Sequence, residues 1–520
     1  MSELIAALHD PHRYPHPVTT VRMIETHISW VLLTGQYAYK IKKPVKLDFL
    51  DFSTLERRHD YCLQELRLNR RLAPQLYLDV VPITGSAREP CIGGTGEPIE
   101  HALKMREFSQ QDLLLNRLAH GEVEARHIDA IADTLVTFHA QSPATAPADE
   151  FGSAGVVLQS ALDNFAAIEH LLTGNGMHLR ISALKRWTQE RHAELLAAFD
   201  ERRDGARIRE CHGDLHAGNI ALVGDAPAIF DCIEFNAAFR WIDVMNEVGF
   251  LVMDLVARGR SDFAYRLLNR YLEAGGDYTG LRVLRYYLVY RAMVRAKIDC
   301  IRARQPQLSE SAGTREWQDF IARVMLAEHF ARREPRLLAI TFGLSGSGKS
   351  TAALFAAEHA QMIRIRSDAE RRRIFGLREG DSSHSALDAG IYTGAANARV
   401  YDRLALLARD AIEAGFAVII DAAFLRREAR RRFKQLAESV GAQFAIVHCR
   451  ATPAESSARI EARQRSGRDP SEASRAVLER QQQTIECLDD EESAIAVSID
   501  VTDRATLTSM AQRLARRADQ

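Results

Sequence analysis

The chain is predicted to hold two domains, a two-lobed α+β domain followed by an α/β domain with a mostly parallel sheet. Three observations lead there. Its 520 residues exceed what one hydrophobic core usually organises. Beyond residue 335, short apolar runs alternate with helical patterns, as a parallel sheet requires. Two separate phosphate-handling signatures also stand far apart in the chain, one in each part.

The first domain begins with a hairpin signal, strands at 27–34 and 37–42 around Gly35-Gln36. The second strand contains Ala38-Tyr39-Lys40, which resembles the Ala-x-Lys of the kinase strand that holds the α- and β-phosphates. Lys42 shares its face by the period-two rule, so the choice between Lys40 and Lys42 stays open. Residues 55–68 have helical periodicity and include Glu65, the candidate ion-pair partner of that lysine. The competing reading makes Glu65 part of a solvated helix face. Farther on comes His212-Gly213-Asp214-Leu215-His216-Ala217-Gly218-Asn219, then Ala228-Ile229-Phe230 and Asp231. An Asp that accepts a hydroxyl proton, an Asn soon after it and a second Asp beyond a short strand are the parts that metal-assisted phosphoryl transfer uses.

These motifs, with His-Gly-Asp where protein kinases have His-Arg-Asp, resemble the aminoglycoside phosphotransferase and choline kinase branch of the protein-kinase-like fold. The resemblance implies a β-rich lobe and a larger helical lobe. It also implies Asp214 as catalytic base, Asn219 and Asp231 as magnesium ligands, and Lys40 with Glu65 at the nucleotide. Helical patterns continue to residue 301 and a loop follows at 305–313. The expected division is 1–305 for this domain, 306–335 for a helical linker and 336–520 for the second domain.

The second domain is organised around Gly343-Leu344-Ser345-Gly346-Ser347-Gly348-Lys349-Ser350, between the apolar run 337–342 and the helical start Thr351-Ala352-Ala353. A strand, a glycine turn and a helix N-terminus surround phosphates with backbone N–H groups. The loop residues Gly343, Ser345, Gly346, Ser347, Gly348, Lys349, Ser350 and Thr351 are the expected nucleotide contacts. Lys349 would reach the outer phosphates and the Ser350 hydroxyl would bind magnesium. Further strands are expected at 362–366, 417–420 and 444–449. The first leads to Ser367-Asp368 in the crevice where open α/β sheets bind ligands, which makes Asp368 the candidate to orient and deprotonate an acceptor hydroxyl. The second delivers Asp421, a candidate metal-holding carboxylate. The segment 459–471 reads as an arginine-bearing lid, with Arg463 and Arg468 acting on the transferring phosphoryl group. The whole is similar to the P-loop group that includes zeta toxins, chloramphenicol phosphotransferase and phage polynucleotide kinases. The fold class expected is therefore a protein-kinase-like domain plus a P-loop NTPase domain. The pairing itself resembles a bacterial family of fusions between an aminoglycoside-phosphotransferase-like domain and a P-loop kinase domain.

Composition sets outer limits. Hydrophobic content of 46% and 68 basic against 69 acidic residues describe an ordinary globular chain with no global attraction to nucleic acid or membrane. Seven scattered cysteines without a Cys-x-x-Cys pair suit free thiols in a reducing cytoplasm. The thiols are expected to be mostly buried, and Cys211 and Cys232 flank catalytic candidates, a position that would make them sensitive to alkylation without giving them a role. The leading functional expectation is a bifunctional kinase using ATP and magnesium, with hydroxyls of small molecules as acceptors. The alternatives are one catalytic domain beside a regulatory nucleotide-binding module, or a nucleic-acid 5′-hydroxyl kinase using Arg426, Arg427, Arg430, Arg431 and Arg432. That cluster lacks interleaved aromatics, so nucleic acid is not the expected partner.

Overall fold

The computed structural model describes all residues except 48–49, 147–148, 173–174, 305–309, 333, 378–380, 382–389, 467–474 and 520. The chain forms two compact units, residues 1–156 with 200–251, and residues 157–199 with 252–520. Among the described residues no helix is long and apolar enough to cross a membrane.

The first unit is built on a six-stranded antiparallel sheet. Its strands are β1 (Arg22–Glu25), β2 (Ser29–Leu33), β3 (Tyr37–Lys42), β4 (Tyr77–Gly85), β5 (Pro90–Ile92) and β6 (Glu100–Arg106), in the order β1-β2-β3-β6-β4-β5. The β2–β3 turn needs Gly35, whose φ of +91° is costly for other residues, and its N–H donates to Glu107 Oε2 at 2.7 Å. Alternation along β2 and β3 sends Leu32, Tyr39 and Ile41 into a core completed by Ile83, Ile92 and Ala102. Helix α1 (Leu55–Asn69) begins at Thr54, whose side chain accepts from Arg57 N. Its buried residues Arg58, Cys62, Glu65, Leu66 and Asn69 recur at helical spacing, which places Glu65 on the inward face. The solvated-face reading of Glu65 is thereby corrected. A hairpin of β7 (Ile220–Val223) and β8 (Ala226–Ile229) pairs Ile220 with Ile229 and delivers Asp231.

The second unit contains the helices α2 (Ser261–Gly275), α3 (Leu281–Ala303) and α4 (Glu310–Arg332), and then a five-stranded sheet. The strands are β9 (Leu337–Phe342), β10 (Ile363–Arg366), β11 (Val418–Asp421), β12 (Gln443–Cys449) and β13 (Ala496–Ile499). They lie in the order β10-β11-β9-β12-β13 and every pairing is parallel, so the second domain has the α/β class expected of it. All six residues of β9 are buried, as they must be in a strand covered on both faces. The expected strand 337–342 coincides with β9, those at 362–366, 417–420 and 444–449 differ by one residue at an end or at both, and β13 was not expected. Of the expected loop 305–313, residues 305–309 lie outside the described residues and residues 310–313 belong to α4, which corrects the expectation there.

Candidate active sites

In the first unit the catalytic-loop candidates are fixed from behind by Glu247. Its Oε1 accepts from His212 N at 3.0 Å and its Oε2 from Gly213 N at 2.7 Å, while His139 Nε2 lies 3.1 Å from Oε1. Burial alone would raise the Glu247 carboxyl, but the bond from His139 and the neighbouring charges and N–H groups bring it down to about 2. Gly213 has φ +89°, and a Cβ there would sit 2.6 Å from the Phe239 carbonyl oxygen. Glycine at the middle of His-Gly-Asp is therefore a requirement of packing. Asp214 follows, with Asn219 Nδ2 donating to its Oδ2 at 3.1 Å and to its carbonyl at 3.0 Å. Asp231 adopts φ +63° and its N–H donates to Tyr77 Oη at 3.1 Å.

The strand and helix candidates converge on the same place. Lys40 Nζ stands 2.7 Å from Glu65 Oε1 and 2.6 Å from Asp231 Oδ1. Lys42 Nζ takes the other oxygen of Glu65 at 2.7 Å and also pairs with Glu234. Burial disfavours both ammonium groups, but Asp231 and Glu65 carry Lys40 well above its ordinary range, and Glu234 and Glu65 raise Lys42. Glu65 is pulled below the usual carboxylate value despite its burial, whereas burial with Glu65 nearby leaves Glu234 raised. Lys40 is the lysine that reaches Asp231, and Lys42, 1% exposed, faces inward. Three carboxylates against two lysines leave an excess negative charge, and Asp231, its side chain 47% exposed, is the member open to a cation. Sequence reasoning missed Glu234, Glu247 and Tyr77, because nothing local marks them. Cys211 and Cys232 are buried and burial pushes both thiols upward, so the expectation that they are sensitive to alkylation is corrected.

In the second unit the glycine loop leads from β9 into helix α5 (Lys349–His359). Gly346 and Gly348 have φ of +79° and +93°, and a Cβ on either would collide with the Ser456 carbonyl or the Val501 side chain. Ser350 Oγ donates to Asp421 Oδ1 at 3.2 Å. Asp421 Oδ2 is buried without a hydrogen-bond partner, and Arg366 Nε lies 3.4 Å from it. A hydroxyl and an under-satisfied carboxylate oxygen are a hard-oxygen donor set that fits magnesium. Ser347 Oγ is likewise buried and unpartnered. Asp368 lies in the first turn of α6 (Ser367–Ile374), and with Ser345, Gly346, Gly348, Lys349, Ser350 and Thr351 it lines a cavity of about 1510 Å³. Gly343 precedes them with φ +151°, and Lys349 Nζ donates to the Leu344 carbonyl at 2.8 Å.

Four further helices reach this cavity: α7 (Arg427–Ser439), α8 (Pro453–Ser466), α9 (Arg475–Thr484) and the helix Gly394–Glu413. Gln481 on α9 accepts the Ser345 N–H at 2.7 Å, and Arg459 on α8 donates to the Gly346 carbonyl at 3.3 Å. Gln481 was invisible in the sequence. Arg463 belongs to the backbone of α8, but its side chain is outside the described residues, as is the whole of Arg468. In the arginine cluster, Arg430 is clamped by Glu492 through two 2.8 Å bonds, while Arg426 and Arg432 pair with Glu486 and Asp402.

Residues 49–285 match the model of the Phosphotransferase enzyme family, and residues 338–488 match the model described as AAA domain. The fold and the two matches define a phosphotransferase of kinase-like fold joined to a P-loop kinase-like domain. Over 444 residues the chain is 31% identical to proteins of Mycobacterium tuberculosis strain H37Rv and of Mycobacterium bovis, both named as uncharacterized, covering 84% of this chain and 86% of each. The chain belongs to the family they represent, the fusion of these two domains. Solved structures with partial similarity include a gluconokinase from Sinorhizobium meliloti 1021 (24% identity, 36% of this chain and 95% of that one, TM-score 0.25). They also include a choline/ethanolamine kinase family protein from Mesorhizobium loti (10%, 60% and 93%, 0.36) and a spectinomycin phosphotransferase (12%, 63% and 98%, 0.35).

Proposed function

We propose that the protein is a bifunctional ATP-dependent phosphotransferase whose two sites each pass a γ-phosphoryl group to a hydroxyl of a small molecule. The supporting observation is that each compact unit gathers its own lysine and acidic set, Lys40 with Glu65 and Asp231 in one, Lys349 with Ser350, Asp421 and Asp368 in the other. The catalytic division we adopt is 1–305 and 336–520, joined by 306–335. In the first site Lys40 holds the phosphates, Asn219 and Asp231 would hold magnesium, and Asp214 orients the acceptor hydroxyl and takes its proton as the new O–P bond forms and the bond from the γ-phosphorus to the departing ADP breaks. In the second, the loop N–H groups and Lys349 hold the phosphates, Ser350 and Asp421 hold magnesium, and Asp368 takes the acceptor proton. Arg463 and Arg468 add positive charge on the phosphoryl group. Bound magnesium neutralises charge that develops on the phosphates during transfer.

The test is a calorimetric titration with a non-hydrolysable ATP analogue and magnesium, followed by a metabolite screen with wild type, Lys40→Ala and Lys349→Ala. About two sites per chain are expected, Lys349→Ala removing one and Lys40→Ala weakening the other. A stoichiometry of one, abolished by Lys349→Ala alone, would leave the first unit without a nucleotide and refute the bifunctional reading.

A further inference from the structure

Helix α2 lies in the stretch matched by the phosphotransferase model, yet its polar residues serve the edge strand β10 of the five-stranded sheet. An edge strand leaves a row of backbone groups without a ladder partner. Asn269, 1% exposed, satisfies two of them: Nδ2 donates to the Met362 carbonyl at 2.9 Å and Oδ1 accepts from Arg364 N at 2.6 Å. One turn later, Glu273 binds two arginines of the same strand on separate oxygens, Arg364 Nη2 at 2.7 Å and Arg366 Nη1 at 2.9 Å. Burial alone would raise the Glu273 carboxyl, and Arg366 with Arg364 outweighs that and holds it below its ordinary value. It is therefore charged at neutral pH.

Arg366 has a second neighbour. Its Nε lies 3.4 Å from Asp421 Oδ2, on the carboxylate whose other oxygen receives the Ser350 hydroxyl. Guanidinium and carboxylate close into a two-pronged pair where geometry permits. That pair would cover both Asp421 oxygens and put a positive charge where a divalent cation must sit. Glu273 opposes it by holding Nη1 and offsetting the charge of the guanidinium. We propose that Glu273 is a positioning residue of the P-loop site, keeping Asp421 open to magnesium by restraining Arg366. The metal requirement of that site is then set by a helix outside the P-loop domain. The inference rests on the nucleotide-binding reading of the loop given above.

The experiment measures magnesium dependence of binding of a fluorescent ATP analogue to the full chain, in a Lys40→Ala parent and at analogue concentrations below the weakened affinity of the first unit. Glu273→Gln keeps the side chain's shape and removes its charge. It should raise the magnesium midpoint about ten-fold, the usual scale for loss of a residue that orients a metal ligand, with affinity in EDTA nearly unchanged. Adding Arg366→Gln should return the midpoint close to the parent's, a rescue that a purely structural role for Glu273 does not produce. An unchanged midpoint in Glu273→Gln, or a rise that the second substitution does not repair, overturns the proposal. Should Glu273→Gln fail to fold, Arg366→Gln alone decides, because removing the competing guanidinium must not raise the midpoint. If the parent binds no analogue with magnesium, the P-loop reading itself fails and takes this inference with it.

Discussion

Lys40 and Lys42 share one glutamate, and replacing each by methionine should separate a nucleotide contact from a structural one. Lys42 is 1% exposed, with its ammonium between Glu65 and Glu234 and 4.8 Å from the Phe52 ring centroid. Removing one partner of a buried ion pair costs about 3–5 kcal/mol because charge is left uncompensated. Glu234, already raised by burial and by Glu65, can take up a proton, so the lower figure applies. For a unit of this size each kcal/mol moves the melting midpoint about 2–4 °C, which gives a drop of roughly 6–12 °C for Lys42→Met. Lys40 is less enclosed than Lys42, its side chain 13% exposed and that of its partner Asp231 47% exposed. Lys40→Met should lower the midpoint less and weaken ATP-analogue binding about ten-fold or more, through loss of a charge-assisted contact. Scanning fluorimetry and calorimetric titration in a Lys349→Ala background read both effects. The reasoning is refuted if Lys42→Met melts within about 2 °C of its parent, or if nucleotide binding depends on Lys42 and not on Lys40.

Two further outcomes follow from the first site. Asp214→Asn should lower turnover on an acceptor found by the screen by about two to four orders of magnitude while leaving ATP affinity nearly intact, and steady-state kinetics with full turnover would remove Asp214 from the role of base. Glu247 has a folded value of about 2 against 4.5 unfolded, so its contribution to stability is fully present above pH 4.5 and is lost as pH falls toward 2. Urea unfolding of wild type and Glu247→Gln should therefore differ by on the order of 3 kcal/mol at pH 6, with the gap narrowing as pH falls below 4.5. A gap that does not change with pH would show that the charge of Glu247 is not what anchors the loop.

What was legible in the sequence was local. The glycine loop between strand and helix, the Asp214, Asn219 and Asp231 series and the β2–β3 hairpin are written in turn residues and short periodicities, which act over a few neighbours. The helical period also places Glu65 with Arg58, Cys62 and Leu66 on one face, although periodicity alone does not say which face is inward. Only the tertiary structure decided that Lys42 meets Glu234, that Gln481 meets Ser345 N–H and that Glu273 meets Arg364, because these partners are separated by 192, 136 and 91 residues. Buried charge must be compensated wherever the fold places it, and the compensating residue can come from any element that packs there. Its position in the chain therefore carries no local signal. The individual motifs of each candidate site were thus legible from neighbours in sequence, whereas their meeting, as of Lys40 with Asp231 or Ser350 with Asp421, and their electrostatic tuning come from residues that become neighbours only on folding.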